Sequence, residues 1–169
     1  MRNFIHRFFR YMLKPGKSKK SPPMLLSNQK AALLLQQMED LMQQRRPFLQ
    51  SGYSIQSLAV ELGIPSYQVS SLINRKMGIN FNDYLNRYRV QYCQELIRKG
   101  AAGNLNLKGL ANNCGFHNRN TFTNAFKKFT GQTPSYYARN YRQTQNGQGK
   151  YILFSNGVNS RSNDQLFNN

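Results

Sequence analysis

Two short clusters of polar side chains carry the chemistry this chain can offer. The first is Tyr67, Gln68, Ser70, Ser71, Asn74 and Arg75; the second is Arg119, Asn120, Thr121, Thr123 and Asn124. Arginine matches the paired acceptors of guanine, and the amides of asparagine and glutamine match the donor and acceptor of adenine. Serine bonds either kind of partner, and tyrosine packs on a thymine methyl or holds a phosphate. Basic residues flank both clusters: Arg75, Lys76 and Arg87 around the first, Lys127, Lys128, Arg139 and Arg142 after the second. They have the charge and reach for phosphate oxygens, a contact that needs no particular base edge.

Other chemistries are poorly supplied. The chain holds 24 Lys and Arg against 6 Asp and Glu, a net charge of +18 over 169 residues. Six acids leave little for general acid–base work or metal binding, and neither His6 nor His117 has a carboxylate beside it in sequence. The expectation is a protein that is not an enzyme and uses no cofactor and no metal. Cys93 and Cys114 form no C-x-x-C pair and fall on apolar helix faces. They read as reduced core thiols, in keeping with a cytosolic compartment. No stretch reaches the roughly 18 apolar residues of a membrane span. The charge instead asks for an anionic partner, nucleic acid or an acidic membrane surface.

The elements that must position the two clusters repeat one grammar. An offset of 52 superposes Leu58, Ala59 and Gly63 on Leu110, Ala111 and Gly115. Past the turn an offset of 53 matches Val69, Leu72, Ile73 and Gly78 with Phe122, Ala125, Phe126 and Gly131. In each copy a short helix turns Leu-Ala inward, and the small alanine lets a second helix cross closely. A glycine past the helix end takes the left-handed turn that a side chain resists. A second helix follows on a polar cap, Ser66 in one copy and Asn118 in the other. Its apolar stripe packs on the first helix and its other face projects. That is a helix-turn-helix, written twice. Phe122, Phe126, Phe129 and Met77 sit at core spacing and read as packing rather than as platforms for bases.

Between the copies, Phe81 to Lys99 reads as one helix of about 18 residues, roughly 27 Å long at 1.5 Å per residue. Such a rod suits two reading helices about one duplex turn, roughly 34 Å, apart. Periodicity places another helix over residues 27–44, with Ser27 as cap and Leu34, Met38, Leu41 and Met42 apolar. It is expected to end near Arg46-Pro47. Residues 1–14 read as a basic amphipathic helix and residues 15–26 as a linker. The chain therefore divides into 1–26, an additional helix at 27–51, a double helix-turn-helix at 52–142 and a polar, disordered tail at 143–169. Tyr151-Ile152-Leu153-Phe154 is the tail's apolar cluster.

Gly115-Phe116 followed by Phe122-x-x-Ala125-Phe126-Lys127-Lys128-x-x-Gly131-x-Thr133-Pro134-Ser135-x-Tyr137 closely resembles the signature of the AraC/XylS transcriptional regulators. Leu58-Ala59, Gly63, Asn74, Gly78, Phe81 and the run Tyr84-Leu85-Asn86-x-Tyr88-Arg89 resemble the same family. The resemblance covers residues 52–142. It implies an all-α, homeodomain-like body of seven helices, in which a long linker helix joins two helix-turn-helix subdomains. It implies sequence-specific binding of double-stranded DNA, with the second helix of each unit in successive major grooves. By position it favours Tyr67, Ser70 and Ser71 in the first unit, and Arg119, Asn120 and Asn124 in the second, as base-facing. Ala138 departs from the arginine common in the family, with Arg139 beside it as a substitute. Residues 1–51 are too short for the usual effector-sensing domain, so the expectation is a stand-alone or truncated DNA-binding member. Further expectations are contact with RNA polymerase, a homodimer through residues 1–44, contact of residues 1–14 with an anionic membrane, and a cytoplasmic, nucleoid-associated place in a bacterial cell.

Overall fold

A computed structural model describes residues 27–100 and 106–145; the basic segment 1–14, the linker 15–26 and the cluster Tyr151–Phe154 lie outside the described residues. Seven α-helices and one 3-10 turn account for the described chain, and no strand occurs among the described residues. The helices are α1 (Asn28–Gln44), α2 (Ile55–Leu62), α3 (Ser66–Met77), α4 (Phe81–Arg98), α5 (Leu107–Asn113), α6 (Arg119–Thr130) and α7 (Pro134–Gln145); the 3-10 turn, Pro47–Leu49, follows α1. The fold is thus all-α, with α2–α3 and α5–α6 as the two helix-turn-helix pairs and α4 as the rod between them.

Helix starts are set by local chemistry. The Ser27 hydroxyl accepts from the Lys30 N–H at 3.2 Å, and Asn118 Oδ1 accepts from the Thr121 N–H at 2.8 Å. A cap of this kind stabilises a helix by about 1 kcal/mol. The expected cap at Ser66 is a correction. Pro65 holds the cap position of α3, with φ −59° and no side-chain hydrogen bond, and Ser66 is the first helical residue. Proline has its φ already fixed and no N–H to lose, so the helix begins on it directly.

Each helix-turn-helix folds around its own core, and α4 serves both. Ala31, Leu34, Met38 and Met42 of α1 join Phe48, Tyr53, Leu58, Ala59, Val69, Leu72, Ile73, Tyr84, Leu85 and Tyr88 in the first. Expected as an addition outside the repeat, α1 supplies much of the apolar wall of that core. Val90, Cys93 and Ile97 of α4 join Leu110, Ala111, Cys114, Phe116, Phe122, Ala125 and Phe126 in the second. Burying one such large side chain contributes roughly 1.5–3 kcal/mol. Aromatic contacts run through each core: Phe48 stacks on Tyr88 at 5.7 Å, and Phe116, Phe122, Phe126 and Tyr137 meet in sequence at 5.2–5.8 Å. Cys93 and Cys114 are buried and unbridged. The neighbouring Cys114 side chain, and then burial, push the Cys93 thiol far above its usual range, so it stays protonated.

The glycines of the repeat differ in their surroundings. Gly63 and Gly115 are both left-handed, at φ 65° and 80°. A Cβ on Gly63 would meet nothing within 4 Å. On Gly115 it would lie 2.2 Å from the Phe48 carbonyl oxygen and 2.8 Å from Leu49 Cα. The turn of the second unit therefore rests directly on the 3-10 turn of the first. Arg89 of α4, only 7% exposed, closes this junction. Its Nε donates to the Phe48 carbonyl at 2.7 Å and its Nη2 to the Gln50 carbonyl at 3.0 Å, while its guanidinium lies 5.5 Å from the Phe116 ring centre.

Candidate nucleic-acid interface

Helix α3 buries Val69, Leu72 and Ile73 and projects the remainder of its surface. Tyr67 is 61% exposed, and Asn74, Arg75 and Lys76 are exposed. Gln68 and Ser70 are half-buried, each held by a neighbour: Gln68 Nε2 donates to the Tyr67 hydroxyl at 3.3 Å and Asn74 Nδ2 to Ser70 Oγ at 3.5 Å. Ser71 departs from the expected base-facing set. Its hydroxyl is buried and has no hydrogen-bond partner.

Helix α6 has the same design with stronger charge. Phe122, Ala125 and Phe126 are buried, and Arg119, Asn120, Thr121, Asn124, Lys127 and Lys128 are exposed. Arg119, Asn120 and Thr121 occupy the first turn, where the free N–H groups and the dipole favour an anion. Neither α3 nor α6 contains a carboxylate. Two nearby carboxylates are engaged away from these helices: Glu39 accepts from the Tyr88 hydroxyl at 2.6 Å, and Glu61 accepts from the Tyr53 hydroxyl at 3.1 Å and lies 3.7 Å from Arg45. Asp83 of α4 reaches α6 and pairs with Lys128 at 2.7 Å. The formal charges that α3 and α6 themselves carry are all positive, Arg75 and Lys76 on α3, Arg119, Lys127 and Lys128 on α6.

The phosphate candidates divide. Arg75, Lys76, Lys127, Arg139 and Arg142 are exposed, and Arg139 lies over the Tyr136 ring at 5.6 Å. Lys128 is 59% exposed although paired with Asp83; an exposed pair of this kind is worth at most about 1 kcal/mol, so a phosphate can compete for it. Arg87 is the correction. It is 8% exposed, and burial pulls its proton affinity below the usual guanidinium range against the pull of Tyr88 and Asp83. It is not part of an outward basic flank. Ala138 is half-buried and packs against the second core.

Sequence reasoning missed Arg89 as a structural centre. A signal was present: Arg89 lies four residues after Leu85 and three before Tyr92, on the apolar stripe of α4, where a guanidinium requires buried acceptors. Burial also raises the hydroxyl pKa values of Tyr53, Tyr84 and Tyr88, with Glu61 adding to the effect at Tyr53 and with Tyr84 and Glu39 adding to it at Tyr88. Among the described residues no three His, Cys, Asp or Glu side chains gather to hold a metal ion, and no helix is long and apolar enough to cross a membrane.

Comparison with known proteins gives consistent matches. Residues 45–140 fit the model of a helix-turn-helix domain family. The uncharacterized helix-turn-helix-type transcriptional regulator YijO of Escherichia coli K12 is 33% identical over 91 residues, 54% of this chain and 31% of that protein. YtdP of Bacillus subtilis, described in the same words, is 33% identical over 79 residues, 47% of this chain and 9% of that protein. The match thus spans less than a third of either relative. A solved protein of unknown function from Listeria innocua is 31% identical, covering 62% of this chain and 94% of that one at a TM-score of 0.54. The DNA-binding domain of AdpA, solved with a target DNA, shares the fold at 18% identity, 70% and 97% coverage and a TM-score of 0.53.

Proposed function

The chain belongs to the AraC-type helix-turn-helix family, and from that membership we propose that it is a transcriptional regulator that binds duplex DNA sequence-specifically. In this reading α3 and α6 enter successive major grooves. The observation that carries it is the doubled unit itself: two helices of identical grammar, each with a buried apolar stripe, an exposed polar face and no carboxylate. The family is one of DNA-binding regulators rather than enzymes.

Within this reading Arg119, Asn120 and Asn124 read base edges from α6, and Tyr67, Gln68 and Ser70 do so from α3. Arg75, Lys76, Lys127, Lys128, Arg139 and Arg142 hold phosphates. The same proposal includes contact with RNA polymerase and a cytoplasmic, nucleoid-associated place. In a homodimer through residues 1–44, any part taken by α1 would use its exposed side, where Leu33 is 60% exposed, since Ala31, Leu34, Met38 and Met42 already face the body. Residues 1–14 would supply any contact with an anionic membrane, and co-sedimentation of liposomes with the intact chain and with one lacking residues 1–23 tests it.

A salt titration tests the main proposal. On a duplex that the protein prefers, log affinity falls linearly with log salt, each neutralised phosphate adding about 0.9 to the slope. An affinity indifferent to salt defeats the proposal.

A further inference from the structure

Arg89 stands where three parts of the molecule meet. Its side chain leaves α4, the helix both cores share. Two of its nitrogens donate to the carbonyls of Phe48 and Gln50, in the turn that leads into α2. Phe48 is itself buried in the first core and stacked on Tyr88. The guanidinium also lies against Phe116, in the turn between α5 and α6. The neighbouring Gly115 lies against the same Phe48 and Leu49 backbone, so closely that no side chain fits. Backbone of the first unit is therefore gripped between the rod and the turn that launches the second reading helix.

We infer that Arg89 is a positioning residue that fixes the register between α3 and α6, and through it the spacing of the two half-sites the protein accepts. The inference rests on the reading of α3 and α6 as DNA-reading helices. A residue that only filled one core would touch one unit; Arg89 touches both. The chemistry is particular to arginine. Its planar fork directs separate N–H groups to separate carbonyls while its flat face meets a ring, which a single ammonium does not reproduce. A rigid register has a definite consequence. One base pair inserted between half-sites shifts one against the other by about 3.4 Å and turns it by about 34°. Two rigidly joined units cannot follow both half-sites, so one set of contacts and the gain from linkage are lost.

The test uses the full chain and a two-part duplex obtained by selection from a random pool. A base pair is inserted or removed between the halves, and binding is compared for wild type, Arg89→Met and Arg89→Lys. Wild type loses about 100-fold on the altered spacings, whereas both variants bind the best spacing more weakly and lose about tenfold or less. Their affinity for an isolated half-site stays unchanged. A second measurement needs no DNA: spin labels placed through cysteine at exposed Gln56 on α2 and exposed Lys108 on α5 report the distance between units. Wild type gives a narrow distribution and both variants a broad one. Folded variants that keep the wild-type spacing penalty, or the wild-type distance distribution, overturn the inference. If wild type selects no two-part site, the DNA-reading premise fails and takes the spacing consequence with it. The spin labels still decide whether Arg89 holds the units together.

Discussion

Arg119 and Lys127 share an exposed helix face but make different demands on a ligand. Arg119 sits in the first turn of α6, where the proposed function has it read a base edge, and Lys127 sits in the last. Arg119→Ala is expected to cost about 1–3 kcal/mol on the preferred duplex and to relax the preference at one position. Lys127→Ala is expected to weaken binding to all sequences alike and to lower the salt slope by about 1. Fluorescence anisotropy on a panel of single-base variants separates the two, and a loss uniform across that panel for Arg119→Ala would demote it to a phosphate contact. The exposed set was legible in sequence because a 3.6-residue period assigns each residue a direction. Ser71 and Arg87 were not, because a period gives a direction and no depth. The Ser71 hydroxyl is buried, and Arg87 is only 8% exposed, although both lie at positions that the period turns outward.

At the scale of elements, the offset repeat gave the right pairs. Leu58-Ala59 and Leu110-Ala111 are buried, and Gly63 and Gly115 both take the left-handed turn. Sequence treats these glycines as equivalent, and the fold does not. Gly63→Ala meets open space and is expected to cost about 1–2 kcal/mol, the ordinary penalty of a left-handed alanine. Gly115→Ala adds a clash with Phe48 and Leu49 backbone, which cannot rotate away. Its cost is expected to exceed that of Gly63→Ala by more than about 1 kcal/mol, within the range of overpacking. Urea unfolding of both variants checks the order, and equal costs would mean that the two turns are not in contact. The cap of α3 was misread by one residue, since Pro65 can hold a helix start without a side-chain bond. The junction of Arg89 with Phe48 and Gln50 was invisible because its partners lie 41 and 39 residues away and are backbone carbonyls, which leave no mark on residue type.

For the whole molecule, buried tyrosines tie α1, α2 and α4 together. Tyr88 bonds Glu39 of α1, Tyr53 bonds Glu61 of α2, and Tyr84 meets Tyr88 edge-on at 5.2 Å. All three hydroxyls have pKa values raised above the ordinary 10.0, chiefly by burial. The folded state therefore keeps its protons where the unfolded chain would lose them. Stability from this source is complete below pH 10 and is lost as pH rises beyond it. Thermal melts across alkaline pH are expected to fall from that point, and Tyr84→Phe should reduce the fall. A melting temperature indifferent to pH there would show that the hydroxyls are not buried.

In the proposed function two similar units, held by one rod, read one stretch of duplex. Selection of bound duplexes from a random pool tests this most directly. The selected sequences should contain two clusters of fixed bases whose centres lie about 10 base pairs, or one helical turn, apart. A single cluster would mean that one unit alone reads DNA, and a pool that shows no enrichment would contradict sequence-specific binding altogether.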